Sequence, residues 1–418
     1  MRIAMMTNNY KPVIGGVPIS IERLAQGLRR LGHTVYIFAP DCGDNGPDDP
    51  FVIRCHTFEK RLTGGFPVVN MLALGIEERF RSLCFDIIHV HHPMIMGQVA
   101  LYFGEKYQIP VVFTYHTRYE MYLHYFKPYV QLQKYAQNND VPGRAVEEML
   151  RCIKERTVPG FVRHFISQCD LVFAPTATMA EYLEEQNISV PIQVMPTGLP
   201  AEAYCQDPTA ADTLREWFLE GKQYLLCTVS RLSQEKNLPF LLRGLSVLKQ
   251  QMGDVFRVMM IGDGPQRQEL EKLALQLGLA QAVTFLGFLP NDQIGLYHRA
   301  SDAFLFASCS ETQGIVLLEA MAAHSPVVAL DAVGVRDVVI HGQNGFMTAP
   351  DEFRWAGRVR QILENETLRH RMSQVAFQTA CGYRSDHIAR IAEQSYRQVL
   401  RGRQIAALEL GMPCGSAG

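Results

Sequence analysis

Short runs of β-branched and apolar residues alternate with longer amphipathic stretches along most of this 418-residue chain. Ile3–Thr7, Thr34–Ala39, Ile87–His91, Val111–Tyr115, Leu171–Pro175 and Ile192–Met195 read as buried strands of about five residues. Between strands, Ser20–Leu31 places Ile21, Leu24, Ala25, Leu28 and Leu31 at helical spacing. Repeated strand–helix–strand units imply parallel strands, because a parallel pair needs a long crossover and a helix usually supplies it. Met195-Pro196-Thr197-Gly198-Leu199-Pro200 breaks the pattern and reads as a linker. A second series follows, with Tyr224–Ser230, Phe256–Ile261, Val283–Leu286, Ala303–Ala307 and Val327–Ala329 as strands. The pattern predicts an α/β protein of two Rossmann-like, doubly wound domains facing across a cleft, residues 1–200 and 201–382. A helix over 383–404 is expected to pack back on the N-terminal domain, with 405–418 as a frayed tail.

The segment 118–166 departs from this alternation, being helical in pattern and without an obvious strand. From Arg118 to Arg163 it holds eight Lys/Arg against five Asp/Glu, with Tyr119, Tyr122, Tyr125, Phe126, Tyr129, Tyr135, Phe161 and Phe165 interleaved. It reads as an insertion with its own purpose.

Composition narrows the function classes. Forty Lys/Arg against forty-two Asp/Glu leave a net charge of −2, which argues against a general nucleic-acid binder. Neither a bilayer-spanning apolar stretch nor a signal-peptide core is present. The ten cysteines form no C-x-x-C pair, so neither a zinc ribbon nor a disulfide framework is suggested, and a reduced cytoplasmic protein is the plain reading.

Candidate chemistry sits where strands end. Gly15-Gly16-Val17 opens the first helix, where glycines admit a ligand to the backbone and the helix N-terminus offers N–H groups to a phosphate; a plain tight turn fits equally. Neither G-x-G-x-x-G nor a P-loop occurs, which counts against a nicotinamide dehydrogenase and a P-loop nucleotidase. Arg231 and Lys236 follow the first strand of the second domain, where two cations either clamp a diphosphate or stand solvated. Glu311 precedes a helix that starts near Gly314, and Glu319 is the one charge among the apolar residues 314–323. A carboxylate there needs hydrogen-bond partners, which ligand hydroxyls supply, while Gln313, Gly314, Ile315 and Val316 offer N–H groups to phosphate. His89, His91 and His92 resemble a metal set only superficially, since neighbours on a strand alternate faces and no carboxylate is near in sequence. His116, at a strand end, is placed either to touch a ligand or to sit satisfied in the core. No D-x-D occurs, so fixed protein charges rather than a metal would neutralise a diphosphate.

Together these residues resemble the retaining GT-B glycosyltransferases of glycosyltransferase family 4, over about residues 1–400. The matching pieces are Gly15-Gly16-Val17, Arg231 with Lys236-Asn237, Gly262-Asp263-Gly264-Pro265, Gly287-Phe288 and the pair Glu311/Glu319. The resemblance implies that Gly15, Gly16 and Gly264 lie at the donor, that Arg231 and Lys236 pair with its phosphates, and that Glu319 binds the ribose. It also implies that Glu311 binds the donor sugar, that His116 lies near the reacting carbon, and that Gly287, Phe288 and Leu289 meet the base. No bound metal and no further cofactor is implied. Thr114–Tyr125 resembles the H-T-x-Y-E-x-Y-x-H-Y stretch of bacterial diacylglycerol glucosyltransferases, which use UDP-glucose and dock on the inner leaflet. The implied partners are a UDP-sugar, diacylglycerol or another lipid acceptor, and a membrane surface, with no nucleic acid. Tyr119, Tyr122, Tyr125, Phe126, Phe161 and Phe165 are then the acceptor and membrane residues, on a cytoplasmic protein peripheral to the inner face of the plasma membrane. Rival readings keep the fold with another acceptor, either phosphatidylinositol with GDP-mannose or a soluble sugar or thiol precursor. More remote ones are a non-catalytic nucleotide-sugar-binding protein and a GT-B epimerase or phosphorylase.

Overall fold

The computed structural model describes residues 1–13, 15–43, 45, 49–58, 68–70, 75–123, 126–136 and 141–409. The chain forms two compact units, one of Met1–Pro196 with the chain from Asp386 on, the other of Thr197–Ser385. The boundaries therefore fall at 196/197 and 385/386, against the expected 200 and 382.

In the first unit the strands are β1 (Arg2–Met6), β2 (Thr34–Pro40), β3 (Val52–Cys55), β4 (Thr57–Phe58), β5 (Val68–Val69), β6 (Ile87–Val90), β7 (Val111–Thr114), β8 (Leu171–Ala174) and β9 (Ile192–Val194). Seven of them form a parallel sheet in the order β3-β2-β1-β6-β7-β8-β9, and β4 and β5 pair antiparallel beside it. The helices are α1 (Gly16–Arg30), α2 (Ile76–Leu83), α3 (Ile95–Tyr107), α4 (Lys127–Ala136), α5 (Val141–Cys152), α6 (Val158–Ile166) and α7 (Ala177–Glu185). Ile3, Ala4, Met5 and Met6 are all fully buried, as expected of a central parallel strand covered on both faces.

The second unit holds β10 (Tyr224–Val229), β11 (Phe256–Ile261), β12 (Val283–Gly287), β13 (Ala303–Phe306), β14 (Val327–Leu330) and β15 (Gly345–Thr348), with α8 (Pro208–Leu219), α9 (Leu238–Met252), α10 (Arg267–Gln276), α11 (Asn291–Ala300), α12 (Ile315–Ala322), α13 (Glu352–Glu364) and α14 (Glu366–Cys381). Its parallel sheet runs β12-β11-β10-β13-β14-β15. One face of the sheet packs Leu226, Val258 and Leu305 with Leu241, Leu245, Trp355 and Val359. The other packs Leu225, Met259 and Phe304 with Leu317, Leu318 and Met321.

The last helix, α15 (Ser385–Glu409), is longer than expected and runs through residues assigned to a tail; 410–418 lie outside the described residues. Ile388, Ala389, Ala392 and Tyr396 join the core of the first unit beside Ile3, Met5 and Phe173. Arg403 Nε and Nη2 donate to the two carboxylate oxygens of Asp170 at 2.7 and 2.9 Å, fixing this helix to the start of β8.

Strand order decides where ligands can bind. In each sheet the first strand lies inside, and successive strands are added to one side and then the other. The reversal falls between β1 and β6 in the first unit and between β10 and β13 in the second. Connections diverge there, opening a crevice beyond the carboxyl ends of those strands.

Candidate functional site

In the second unit, Arg231 follows β10 and Lys236 ends the single helical turn Gln234–Lys236, while Glu311 follows β13. β10 and β13 are neighbours across the reversal point, so loops 75 positions apart meet: Lys236 Nζ donates to Glu311 Oε1 at 2.5 Å. Burial pushes the Glu311 carboxyl up, but the charge and hydrogen bond of Lys236, with a hydrogen bond from Ser308, outweigh it and hold the group below its usual value. Ser308 Oγ also lies 3.2 Å from the Glu235 carbonyl, its one proton shared between that oxygen and the Glu311 carboxylate, a second tie between the same loops. The result is a cation and a carboxylate, each about one-fifth exposed, at the mouth of the crevice.

The loop after β11 closes against this one. Ser230 N–H donates to Ile261 O at 3.0 Å, Leu232 N–H to Asp263 O at 3.0 Å and Gln266 N–H to Leu232 O at 3.0 Å. Gly262, at φ +126°, lies so near the Ser230 carbonyl that a Cβ would collide with it, so only glycine fits. Gly262 N–H also donates to Gly287 O at 2.8 Å, bringing in the end of β12. Beyond Gly287, Phe288 stands 53% exposed and Leu289 packs part-buried on the core. Backbone from three strand ends, with Gly264 among it, is thus gathered beside Arg231.

Gly314 caps α12, which is preceded by Gln313. The Gln313 side chain is buried, and its amide spans the Thr197 backbone: Oε1 accepts from Thr197 N–H at 2.7 Å and Nε2 donates to Thr197 O at 3.1 Å. Its side chain therefore serves the start of the second unit rather than a ligand. On α12, Leu317, Leu318, Ala320 and Met321 face the core, leaving Ile315, Val316 and Glu319 on the part-exposed stripe. Glu319 stands on that part-exposed stripe, beside the apolar face that α12 buries. Gly334 escaped the sequence reading. At φ +78° it packs against the loop, and a Cβ there would lie 2.5 Å from Glu311 O. Glycine at 334 lets the Glu311–Thr312 backbone take its course, and only the fold reveals that contact.

In the first unit, α1 is capped by Gly15 in extended geometry, with Gly16 exposed as its first residue and no acidic side chain in its first turn. The histidines form a column. His89 is fully buried, with Nε2 2.6 Å from Thr114 Oγ1 and Nδ1 2.7 Å from the Tyr396 hydroxyl. Its ring lies 4.3 Å from that of His91, which in turn meets His116 with centroids 5.2 Å apart and planes within 26°. His91 Nδ1 and His116 Nε2 face each other at 2.9 Å. Burial, with some mutual repulsion, pushes His91 and His116 well below the usual imidazole value, and burial alone lowers His89 to about 3 and His92 to about 4. Among the described residues, no three His, Cys, Asp or Glu side chains are grouped to hold a metal ion.

The described residues of 118–166 form a 3-10 turn Tyr119–Met121, α4, α5, a single π-helical run Ile153–Thr157, and α6. Its aromatic residues divide. Phe126 and Phe161 are exposed at 51% and 43%, while Phe165 is fully buried against Phe113, ring centroids 5.1 Å apart. Phe165 is thus a core residue, a correction to its reading as a membrane contact. Tyr119 turns its hydroxyl inward, Tyr122 is half-buried, and Tyr125 lies outside the described residues. Arg118 Nε donates to the buried Glu120 at 2.8 Å and its guanidinium stacks 4.6 Å over the Tyr182 ring. Among the described residues no helix is long and apolar enough to cross a membrane.

Comparison with known proteins places the whole arrangement. Residues 14–203 match the family described as Glycosyltransferase Family 4, and residues 211–379 match Glycosyl transferases group 1. The chain is 31% identical over 343 residues to the alpha-monoglucosyldiacylglycerol synthase of Streptococcus pneumoniae, covering 79% of this chain and 71% of that one. It is 27% identical to the enzyme of the same name from Acholeplasma laidlawii, over 84% of this chain and 86% of that one. Among solved structures, Anabaena HepE in complex with UDP superposes with a TM-score of 0.71 over 95% of this chain and 100% of that one, at 19% identity, a likeness of fold.

Proposed function

The chain belongs to glycosyltransferase family 4 and is a glycosyltransferase of the GT-B type, and on that premise we propose that it moves glucose from UDP-glucose to the free hydroxyl of diacylglycerol at a membrane surface, with the α configuration kept. Similarity to two diacylglycerol glucosyltransferases supports the donor and the acceptor. The observation that carries the lipid acceptor is the surface of 118–166. Of the seventeen large apolar side chains exposed among the described residues, six (Met121, Phe126, Leu132, Tyr135, Met149 and Phe161) fall within 121–161. Apolar and aromatic side chains interleaved with lysine and arginine suit the interface of an anionic bilayer.

The chemistry follows from the charges. As the bond between glucose C1 and the β-phosphate oxygen breaks, negative charge collects on the departing UDP. Arg231, Lys236 and the N–H groups opening α12 are the proposed stabilisers. The acceptor oxygen bonds to C1 on the same face, and its proton passes to the departing phosphate, so no residue is required as a covalent nucleophile. Fixed cations carry the charge that a divalent ion otherwise carries. In this reading Glu311 and His116 hold the sugar, Glu319 the ribose, and Gly287–Leu289 the base.

The test is mass-spectrometric product analysis with UDP-glucose, UDP-galactose and GDP-mannose in competition, on liposomes of diacylglycerol and anionic lipid. A glucosyl-diacylglycerol is expected. A hexosyl lipid drawn from GDP-mannose would overturn the donor. UDP release without any lipid product would overturn the acceptor and turn the aromatic segment into a site for a soluble one.

A further inference from the structure

We infer that His91 is a positioning residue: by donating from Nδ1 to His116 Nε2 it fixes His116 as the tautomer with its proton on Nδ1, a hydrogen-bond donor for the sugar. The inference rests on the proposed role of His116 only in its last clause; the tautomer itself follows from the packing.

Two facing imidazole nitrogens 2.9 Å apart share one proton, and which ring supplies it decides where the other ring carries its own. Both rings are neutral at physiological pH, because burial and neighbouring imidazoles hold both well below their usual range. Each therefore has a single N–H. Were His116 to supply the shared proton, that of His91 would sit on Nε2. That atom is buried and meets no protein hydrogen-bond partner among the described residues. Buried N–H groups with nothing to donate to are rarer than under-used acceptors. Placing the His91 proton on Nδ1 spends it on His116 and leaves only a lone pair unpaired at Nε2.

Neighbouring side chains hold the pair in place. His89 is pinned at both nitrogens by Thr114 and the Tyr396 hydroxyl, and its ring covers one side of His91 at 4.3 Å. His116 meets the edge of His91 through the facing nitrogens, with centroids 5.2 Å apart and planes within 26°. The register Ile88↔Val111 and Val90↔Phe113 puts His91 opposite Thr114, so His116, two residues past the end of β7, reaches His91 across a two-residue stagger, as Thr114 reaches His89. A donor nitrogen at His116 hydrogen-bonds a sugar hydroxyl oxygen without carrying charge, which avoids a cation beside a carbon where positive charge develops in glycosyl transfer.

The experiment is long-range 1H–15N spectroscopy of the full-length protein labelled on histidine, with the His116 signals assigned by their loss in His116→Ala. The expected pattern for His116 is a protonated Nδ1 and a bare Nε2. Protonation at Nε2 overturns the inference whether or not the protein glucosylates lipid. His91→Asn keeps an N–H at the Nδ1 position, and His91→Leu removes it. The leucine variant is expected to lose the single tautomer and about tenfold in kcat, and the asparagine variant to recover most of both. Equal losses in the two variants, with melting temperatures alike, would show that the hydrogen bond is not what matters and would also overturn it.

Discussion

Lys236 and Glu311 meet at 2.5 Å although 75 positions separate them, so neither can change without altering the other. Lys236→Met removes a proposed phosphate cation and leaves the Glu311 carboxylate without its counter-charge. The expected loss is a few hundredfold in kcat, roughly 3–4 kcal/mol of transition-state stabilisation, measured by steady-state kinetics. Stability should report the same pair. Glu311 is held below its usual value of 4.5, so it stabilises the native state above that pH and its contribution is lost as pH falls through the depressed value. The melting-temperature gap between wild type and Lys236→Met should thus be open at neutral pH and close as pH falls through the depressed value; a constant gap would refute it. Arg231, Lys236 and Glu311 were legible as residues because strand ends announce themselves by the switch from apolar run to loop. The pair was not, since it depends on β10 and β13 being neighbours. Gly334 was equally silent, its requirement being set by a carbonyl more than twenty positions away. Gln313 was read for its backbone, whereas its side chain is what the fold uses.

At the scale of elements, α6 shows why aromatic residues in one helix must be separated before a function is given to them. Its buried stripe is Val162, Phe165 and Ile166, at helical spacing, and Phe161 sits a turn before Phe165 and outside that stripe. Phe126→Ser with Phe161→Ser should abolish flotation with diacylglycerol vesicles while changing stability by only about 0.5 kcal/mol. Phe165→Ala should do the reverse and cost about 3–5 kcal/mol, because it opens a cavity against Phe113. Vesicle binding retained in the double variant would remove the surface from the membrane reading. The helical nature of 118–166 was visible in its pattern, but amphipathicity alone could not tell an aromatic on the core stripe from one on its flank. Strands were easy to see where both faces are buried, as in β1, and were missed at the margins. β3 reads Val-Ile-Arg-Cys with alternating burial, and Arg54 spends its guanidinium on the Lys11 and Pro40 carbonyls. A charged residue in four breaks an apolar run, so an edge strand looks like loop.

The whole molecule keeps its buried imidazoles unevenly between the two units. The first holds His33, His89, His91, His92 and His116, all depressed chiefly by burial; the second holds His298, lowered to about 3, and His324, lowered by burial and nearby cations. That the sequence alternates strand and helix along most of its length made both parallel sheets legible, yet nothing in its spacing said that four histidines from β6, β7 and their loops would gather in one place. Their gathering has a thermodynamic consequence. A histidine whose native value is depressed stays neutral in the fold, while the unfolded chain takes up a proton near its usual 6.5. Stability from these groups is therefore present above about pH 6.5 and is lost as pH falls, by ~1.4 kcal/mol per unit for each histidine. Carboxylates add little in this window, since those held below their usual 4.5 give up their contribution only as pH falls below that value. The first unit should thus weaken faster than the second between about pH 7 and pH 5. Hydrogen exchange read by mass spectrometry, corrected for intrinsic rates, should show peptides of β6 and β7 losing protection across that range while those of β10 and β11 hold theirs. Parallel loss in both units would mean that the histidine column is reached by protons without unfolding, and that its neutrality is not what binds that unit's stability to pH.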